Sequence, residues 1–247
     1  MITHTSHSPF PVQLSPWIMT QTWNDVLFIH FQVDPDELRD KVPKQLTIDT
    51  YNGMARISLV AFNVTNFRGR LLPPIPFAHS FPELNVRTYV TVNGKPSVYF
   101  FSLDAWHRLA VLGARTFFHL PYFYARQTFE KVGDTFRFSS KRESVKGAEV
   151  ECLVSYRPIS TPFSYEKGSL DYWLTERYRL YTAYKHYLYY VDIHHTKWVL
   201  QRAEATIEKN TAISSCNLTI AKEEPLLHYA KQKKALFWPL KREIYVN

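Results

Sequence analysis

Two β-rich segments meet at Asn93-Gly94 in "ELNVRTYVTVNGKPSVYFFSLDA", residues 83–105, and this junction constrains the fold more than any other feature of the chain. Asn-Gly is the preferred pair for a two-residue type I′ turn, in which both central residues take positive φ. Such a turn pairs Val92 with Lys95, and counting outward sets Arg87 opposite Phe100, Asn85 opposite Ser102 and Glu83 opposite Asp104. Because side chains alternate along a strand, Glu83, Asn85 and Arg87 then share one face with Ser102 and Asp104. Val86, Thr88, Val90, Tyr99 and Phe101 fall on the other face, which reads as core. The polar face has two readings. It is either the solvent side of a half-exposed sheet, with Arg87 paired to a carboxylate, or the lining of a cavity. Solvent faces favour Lys, Glu and Thr, whereas Asn, Arg and Ser aligned with Phe100 and Tyr89 suit a lined cavity.

The rest of the chain is also β-rich. Aromatic residues make up 16% of the 247 residues and there are only 7 Gly, a balance that suits pleated, half-buried surfaces. "VDPDELRDKVPK" (33–44) predicts a short helix, with Asp34 as cap, Pro35 at the first helical position and Pro43 as its stop. "LTIDTYNGMARISLVAFNV" (46–64) reads as strand, Asn-Gly turn and strand. "RGRLLPPIPFAHSFP" (68–82) is too rich in proline for a sheet interior and reads as a loop or lid. "DAWHRLAVLGARTFF" (104–118) predicts a helix capped by Asp104, with Ala105, Leu109 and Leu112 on its apolar stripe. Leu120-Pro121 ends it. Strands follow around Gly133-Asp134 and in 151–160, then a short helix capped by Ser169, then aromatic strands through 186–209. The class is α+β, mainly antiparallel β. No composition shift divides the chain, so one domain is expected over 1–247, with 1–15 flexible.

Several function classes find no support in the residues. There is no Gly-rich phosphate loop, dinucleotide fingerprint or nucleophile elbow, and no metal or cofactor is implied. His194-His195 lies in a strand-like run, where adjacent side chains point to opposite faces and do not easily chelate one ion. Cys152 and Cys216 sit among apolar neighbours and read as inert thiols. The start lacks a basic segment followed by an apolar one, and no apolar run is long enough to span a bilayer. A cytoplasmic protein without a membrane partner is expected. The net charge of +8 is spread along the chain, which favours solubility over a nucleic-acid footprint.

Taken in order, "WIMTQTWNDVLFIHF", "FPELNVRTYV", "VYFFSLDA", "ARTFFHLPYFYA", "LTERYRLY" and "KWVLQRAEA" resemble the YqjF-like family of bacterial proteins, from Trp17 to about Ala205. The resemblance implies a relationship to the acetoacetate decarboxylase-like fold, a cone-shaped antiparallel β-barrel with flanking strands and short helices. Acetoacetate decarboxylase forms a Schiff base through a lysine activated by a neighbouring cation. That lysine follows an aromatic-proline pair in a turn, and "HLPYF" (119–123) looks like the same turn. Tyr122 and Phe123 stand where the two lysines would be, and no lysine lies between Lys95 and Lys131. A tyrosine has no amine and cannot form an imine.

What the resemblance leaves is a pocket. Glu83 or Asn85, with Arg87, match the residue types that line it in the decarboxylase. Arg87 or Arg115 could hold a carboxylate in a bidentate pair, Tyr122 could donate a hydroxyl to an enol or carbonyl oxygen, and His119 could act as acid or base. Against these stand packing roles for His119 and Tyr122. In "LTERYRLY", Glu176 and Arg179 pair if the helix continues, and Arg177 is able to point inward. The expected function is binding of a small organic molecule, carboxylate-bearing, without Schiff-base chemistry. The expected ligand-binding set is Glu83, Asn85, Arg87, Ser102, Asp104, Arg115, His119, Tyr122 and Arg177. The alternatives are an enzyme doing enolisation, hydration or lyase-type chemistry on a keto compound, and a nucleic-acid-binding protein. Homo-oligomerisation is left open.

Overall fold

The computed structural model describes residues 5–74, 80–143 and 149–243. The chain begins with the long strand β1 (Met19–Val33), then α1 (Pro35–Arg39), β2 (Thr47–Ile48) and β3 (Ala55–Gly69). The hairpin β4 (Ser80–Val92) and β5 (Lys95–Ala105) leads into α2 (Arg108–Phe118) and the short β6 (Tyr122–Tyr124). An outer meander follows as β7 (Arg126–Val132), β8 (Thr135–Glu143) and β9 (Glu149–Pro158). After α3 (Leu170–Thr175) come β10 (Arg179–Tyr184), β11 (Tyr187–His194), β12 (Gln201–Asn210), β13 (Leu226–Phe237) and β14 (Lys241–Arg242). Strands dominate and nearly all pairings are antiparallel, with β5 running parallel to β6 and β10.

Following the pairings from β13 through β1, β3, β4, β5, β10 and β11 leads back to β13, because Ile193 and His194 pair with Phe237 and Leu236. The seven strands therefore form a closed ring. From β13 the sheet also branches outward through β12, β9, β8 and β7. This second layer folds over the outside of the ring. The largest core lies between the two layers, where Leu27, Ile29, Leu59 and Val86 from the ring meet Phe136, Phe138, Val154 and Tyr156. Alternation along each ring strand sends one set of side chains to this core and the other into the ring.

The turns follow local chemistry. Asn93 and Gly94 take φ of 51° and 70°, and Val92 pairs with Lys95 as a type I′ turn requires. Asp34 caps α1 by accepting from the Asp36 amide, and Ser169 caps α3 by accepting from the Tyr172 amide. Asn52-Gly53 also turns with positive φ, but β2 pairs with β4 rather than with β3.

Three expectations are corrected. The cap of α2 is His107, whose ring accepts from the Ala110 amide at 3.3 Å, while Asp104 remains within β5. The expected apolar stripe is only partly buried, since Ala105 is buried but at the end of β5. Leu109 and Leu112 are 71% and 62% exposed, and the helix buries Val111 instead. The proline-rich segment is only partly a loop, since β4 starts at Ser80 and Pro82 pairs with Asn63 of β3. Proline is tolerated there because β5 reaches only as far as Glu83, so Pro82 has no ladder partner on its other side. Residues 75–79 of that segment lie outside the described ones. Ahead of β1, His7 bonds the His195 carbonyl at 2.8 Å, and the Trp238 indole donates to the Ser15 carbonyl at 2.6 Å.

Candidate functional site

The interior of the ring holds a cavity of about 340 Å³. Its wall is overwhelmingly apolar: Trp23 and Phe28 from β1, Val60 and Phe62 from β3, Phe100 and Leu103 from β5, and Phe237 from β13 all line it. Into this wall project a few polar groups, Gln21, Glu83, Asn85, Arg87, Tyr122 and Arg177. Leu109 and Phe117 of α2 also line it, yet they are 71% and 73% exposed, so the cavity opens to solvent beneath that helix.

β4 supplies Glu83, Asn85 and Arg87 on alternate positions, as the hairpin predicted. Its partner does not supply Ser102 and Asp104. The register holds from Lys95 to Phe100, opposite Arg87, and then slips by one, so that Val86 pairs with Ser102 and Asn85 with Leu103. Phe101 is the extra residue of a β-bulge, which turns every later side chain to the other face. Leu103 enters the cavity in place of Ser102. Asp104 points outward between the layers, where Arg142 Nη1 of β8 lies 3.1 Å from its Oδ1.

Glu83 is buried, with Tyr122 Oη donating to its Oε2 at 3.0 Å. The Asn85 amide, oriented to satisfy its neighbours, donates to Glu83 Oε1 at 3.0 Å. Burial pushes the carboxyl up to about 7, the two hydrogen bonds opposing that rise and Asp104 adding slightly to it. Burial, with the adjacent Glu83 charge, also holds the Tyr122 hydroxyl well above its ordinary range, so it stays a donor. A carboxyl that is half protonated near neutrality is suited to exchanging a proton with a bound molecule.

The arginines differ from one another. Arg177 is buried and spends one edge on the protein: Nη1 donates to Asp49 Oδ2 at 2.5 Å and Nε to the Trp173 carbonyl at 2.7 Å. Its Nη2 is buried without a hydrogen-bond partner. Arg87 has no ion-pair or hydrogen-bond partner among the described residues, and its guanidinium sits over Phe28 and Tyr89 at 5.6 and 5.9 Å. The cavity thus carries an uncompensated positive charge in an apolar wall. Below Arg87, its pairing partner Ser58 closes a triangle with His30 Nδ1 (2.6 Å) and Tyr89 Oη (2.8 Å). Burial holds His30 neutral, well below its usual range, and the charges of His228 and Arg87 reinforce this.

Arg115 and His119 lie elsewhere. Arg115 is exposed on α2. His119 ends that helix in the left-handed region at φ 52°, and its ring stacks on Tyr184 at 4.3 Å. The expected Glu176–Arg179 pair does not form, because α3 stops at Thr175. Glu176 instead accepts from the Tyr165 and Tyr178 hydroxyls, and Arg179 pairs with Asp192 of β11. His195 bonds the Thr196 carbonyl at 2.9 Å, and burial lowers it to about 3. Burial raises Cys152 and Cys216 to about 12 and 11.

Residue-by-residue reading missed Gln21, Trp23, Asp49 and Trp198. It also missed Lys233, which pairs with Trp23 across β1 and β13 and so faces the ring interior. Burial lowers this amine to about 8. Its Nζ donates to the Lys197 carbonyl at 2.7 Å and lies 5.2 Å from the Trp198 ring, and no lysine lines the cavity among the described residues. The available signal was the apolar setting of "KQKKALFWPL", which places lysines on a strand with a buried face.

The sequence matches the DUF2071 family, described as an uncharacterised conserved protein, over residues 20–234. The chain belongs to this family. One family relative, the uncharacterised protein YqjF of Bacillus subtilis, is 61% identical over 226 residues, covering 92% of this chain and 93% of that one. The fold is similar to that of the Legionella pneumophila acetoacetate decarboxylase, with a TM-score of 0.62 at 15% identity over 98% of this chain and 94% of that one. It is also similar to the enduracididine biosynthesis enzyme MppR complexed with pyruvate, with a TM-score of 0.61 at 12% identity over 94% and 92% of the two chains. The fold of this DUF2071 member is acetoacetate decarboxylase-like, α+β and mainly antiparallel β.

Proposed function

We propose that the ring cavity binds an organic acid with an apolar body, its carboxylate held by Arg87 and its carbonyl or hydroxyl end directed to Glu83 and Tyr122. The unpaired guanidinium of Arg87 in an apolar wall carries this reading. A half-buried guanidinium whose buried Nε has no partner is incompletely satisfied, and an entering carboxylate supplies the missing charge-assisted bond. Arg177 Nη2 supplies a second donor nearby. The apolar wall, with about 340 Å³ of space, favours acids larger than a bare keto acid. The likeness to MppR complexed with pyruvate supports an acid as ligand at the level of fold.

The test is titration of the protein with octanoate and with octanamide, followed by quenching of Trp23 and Trp198, which line the cavity. Octanoate is expected to bind and the neutral amide to bind far more weakly. Arg87→Met, which keeps an unbranched apolar stem and removes the charge, should weaken the acid by about 10- to 100-fold, corresponding to one charged hydrogen-bonding group. Equal binding of acid and amide, or an unaffected Arg87→Met variant, refutes the reading.

A second reading rests on Glu83 near pH 7 beside Tyr122. These groups are arranged to move a proton at carbon next to a carbonyl, which is enolisation chemistry. Imine chemistry is not part of the proposal, since Tyr122 stands at the bend and no lysine lines the cavity among the described residues. Borohydride added with acetoacetate is expected to leave the intact mass unchanged. A stable adduct on Lys233 would overturn that expectation.

A further inference from the structure

We propose that the mouth of the cavity docks on an anionic lipid surface through the outer face of α2 and the chain leaving β3. Leu109, Leu112 and Phe117 are 71%, 62% and 73% exposed, and their spacing of i, i+3 and i+8 puts them on one side of the helix. Leu71 and Leu72, just past β3, are 93% and 61% exposed. Both segments lie at the same end of the ring, because the ends of β3 and β5 flank the start of β4, and there Phe67 lines the cavity together with Leu109 and Phe117. Isolated exposed leucines are ordinary, but five large apolar side chains around one opening form a patch with a use.

Charge identifies the occupant. The described residues 51–74, 80–82 and 105–129, which flank the opening, include no Asp or Glu, while Arg70, Arg108 and Arg115 are exposed there. Apolar side chains flanked by arginines on a surface free of carboxylates match the boundary between acyl chains and anionic headgroups. A second copy of the chain fits less well. An isologous contact would set this arginine-bearing, acid-free face against itself. Peripheral docking needs no spanning segment, so it is compatible with the lack of any helix long and apolar enough to cross a membrane among the described residues. A mouth resting on lipid would let an apolar acid pass into the cavity without crossing water. The docking does not depend on the ligand assignment, because vesicle binding and acid binding are read separately.

The experiment is co-sedimentation of the full chain with vesicles of phosphatidylcholine alone, or of phosphatidylcholine with phosphatidylglycerol, at low and high salt. Binding is expected only with phosphatidylglycerol, and should weaken as salt rises. Leu112→Asp, at a position that does not line the cavity, is expected to lower the partition about tenfold or more, and Arg115→Glu to lower it as well. Octanoate titration of the same variants reports whether the cavity is intact. Absence of wild-type binding to either vesicle, or equal binding by wild type and both variants, overturns the proposal. So does a concentration-dependent dimer that Leu112→Asp dissociates in the absence of vesicle binding, which would give the face to a second copy.

Discussion

Arg142→Ala is expected to lower the unfolding free energy by about 3–5 kcal/mol at pH 7, the range for stripping one partner from a buried ion pair. Arg142 on β8 and Asp104 on β5 are 7% and 2% exposed, and they join the outer meander to the ring. The arginine also covers the Phe123 ring at 4.1 Å, so apolar contact is lost with the charge. Burial already raises the Asp104 carboxyl to about 6 against the pull of Arg142, and the carboxylate left behind would be higher still. Two controls separate this cause from simple loss of packing. The loss should shrink at pH 5, where Asp104 is mostly protonated, and Asp104→Asn should recover part of it in the double variant. Urea unfolding of the four proteins at both pH values is the measurement. A loss below about 0.5 kcal/mol, or one indifferent to pH, would show that the pair does not join the layers in this way.

The second large effect concerns Glu83. Its carboxyl rises from an ordinary 4.5 to about 7 in the folded chain. Between those values the folded state holds a proton that the unfolded state releases. The stabilisation is therefore complete below pH 4.5 and lost as pH rises through 7, amounting to about 3 kcal/mol for a shift of this size. His30 and His195, held neutral by burial, contribute the opposite slope over part of the same window. The informative quantity is thus the difference between wild type and Glu83→Gln, in which the histidine contributions cancel. Wild type should lose about 3 kcal/mol relative to the variant between pH 4.5 and 7.5. A constant difference across that range would mean that Glu83 titrates normally. Acid binding adds an independent reading. Above pH 7 the ionised Glu83 places a negative charge in the same cavity as the ligand carboxylate, so wild-type affinity for octanoate should fall. In Glu83→Gln that dependence should flatten.

Much of the architecture was legible because local rules act over a few residues. Asn93-Gly94 sets its own turn, and from it the pairing of Val92 with Lys95 and of Arg87 with Phe100 follows by counting. Asp34 and Ser169 announce their helices in the same way. Beyond Phe100 the counting fails. The bulge at Phe101 falls within "VYFFSLDA", where neither glycine nor proline marks it.

That one inserted residue decided the site. The sequence by itself determined a β-rich chain in the DUF2071 family, the alternation that puts Glu83, Asn85 and Arg87 on one face, and a stretch between Lys95 and Lys131 without lysine. Only the tertiary structure decided that Ser102 and Asp104 leave that face, that His119 packs on Tyr184, and that Arg177 reaches the cavity from the end of α3. It also decided that Asp49 neutralises Arg177 while Arg87 stays unpaired among the described residues. Periodicity assigns a side chain to a face, but partners come from strands far apart in sequence, and their approach is set by how the ring closes.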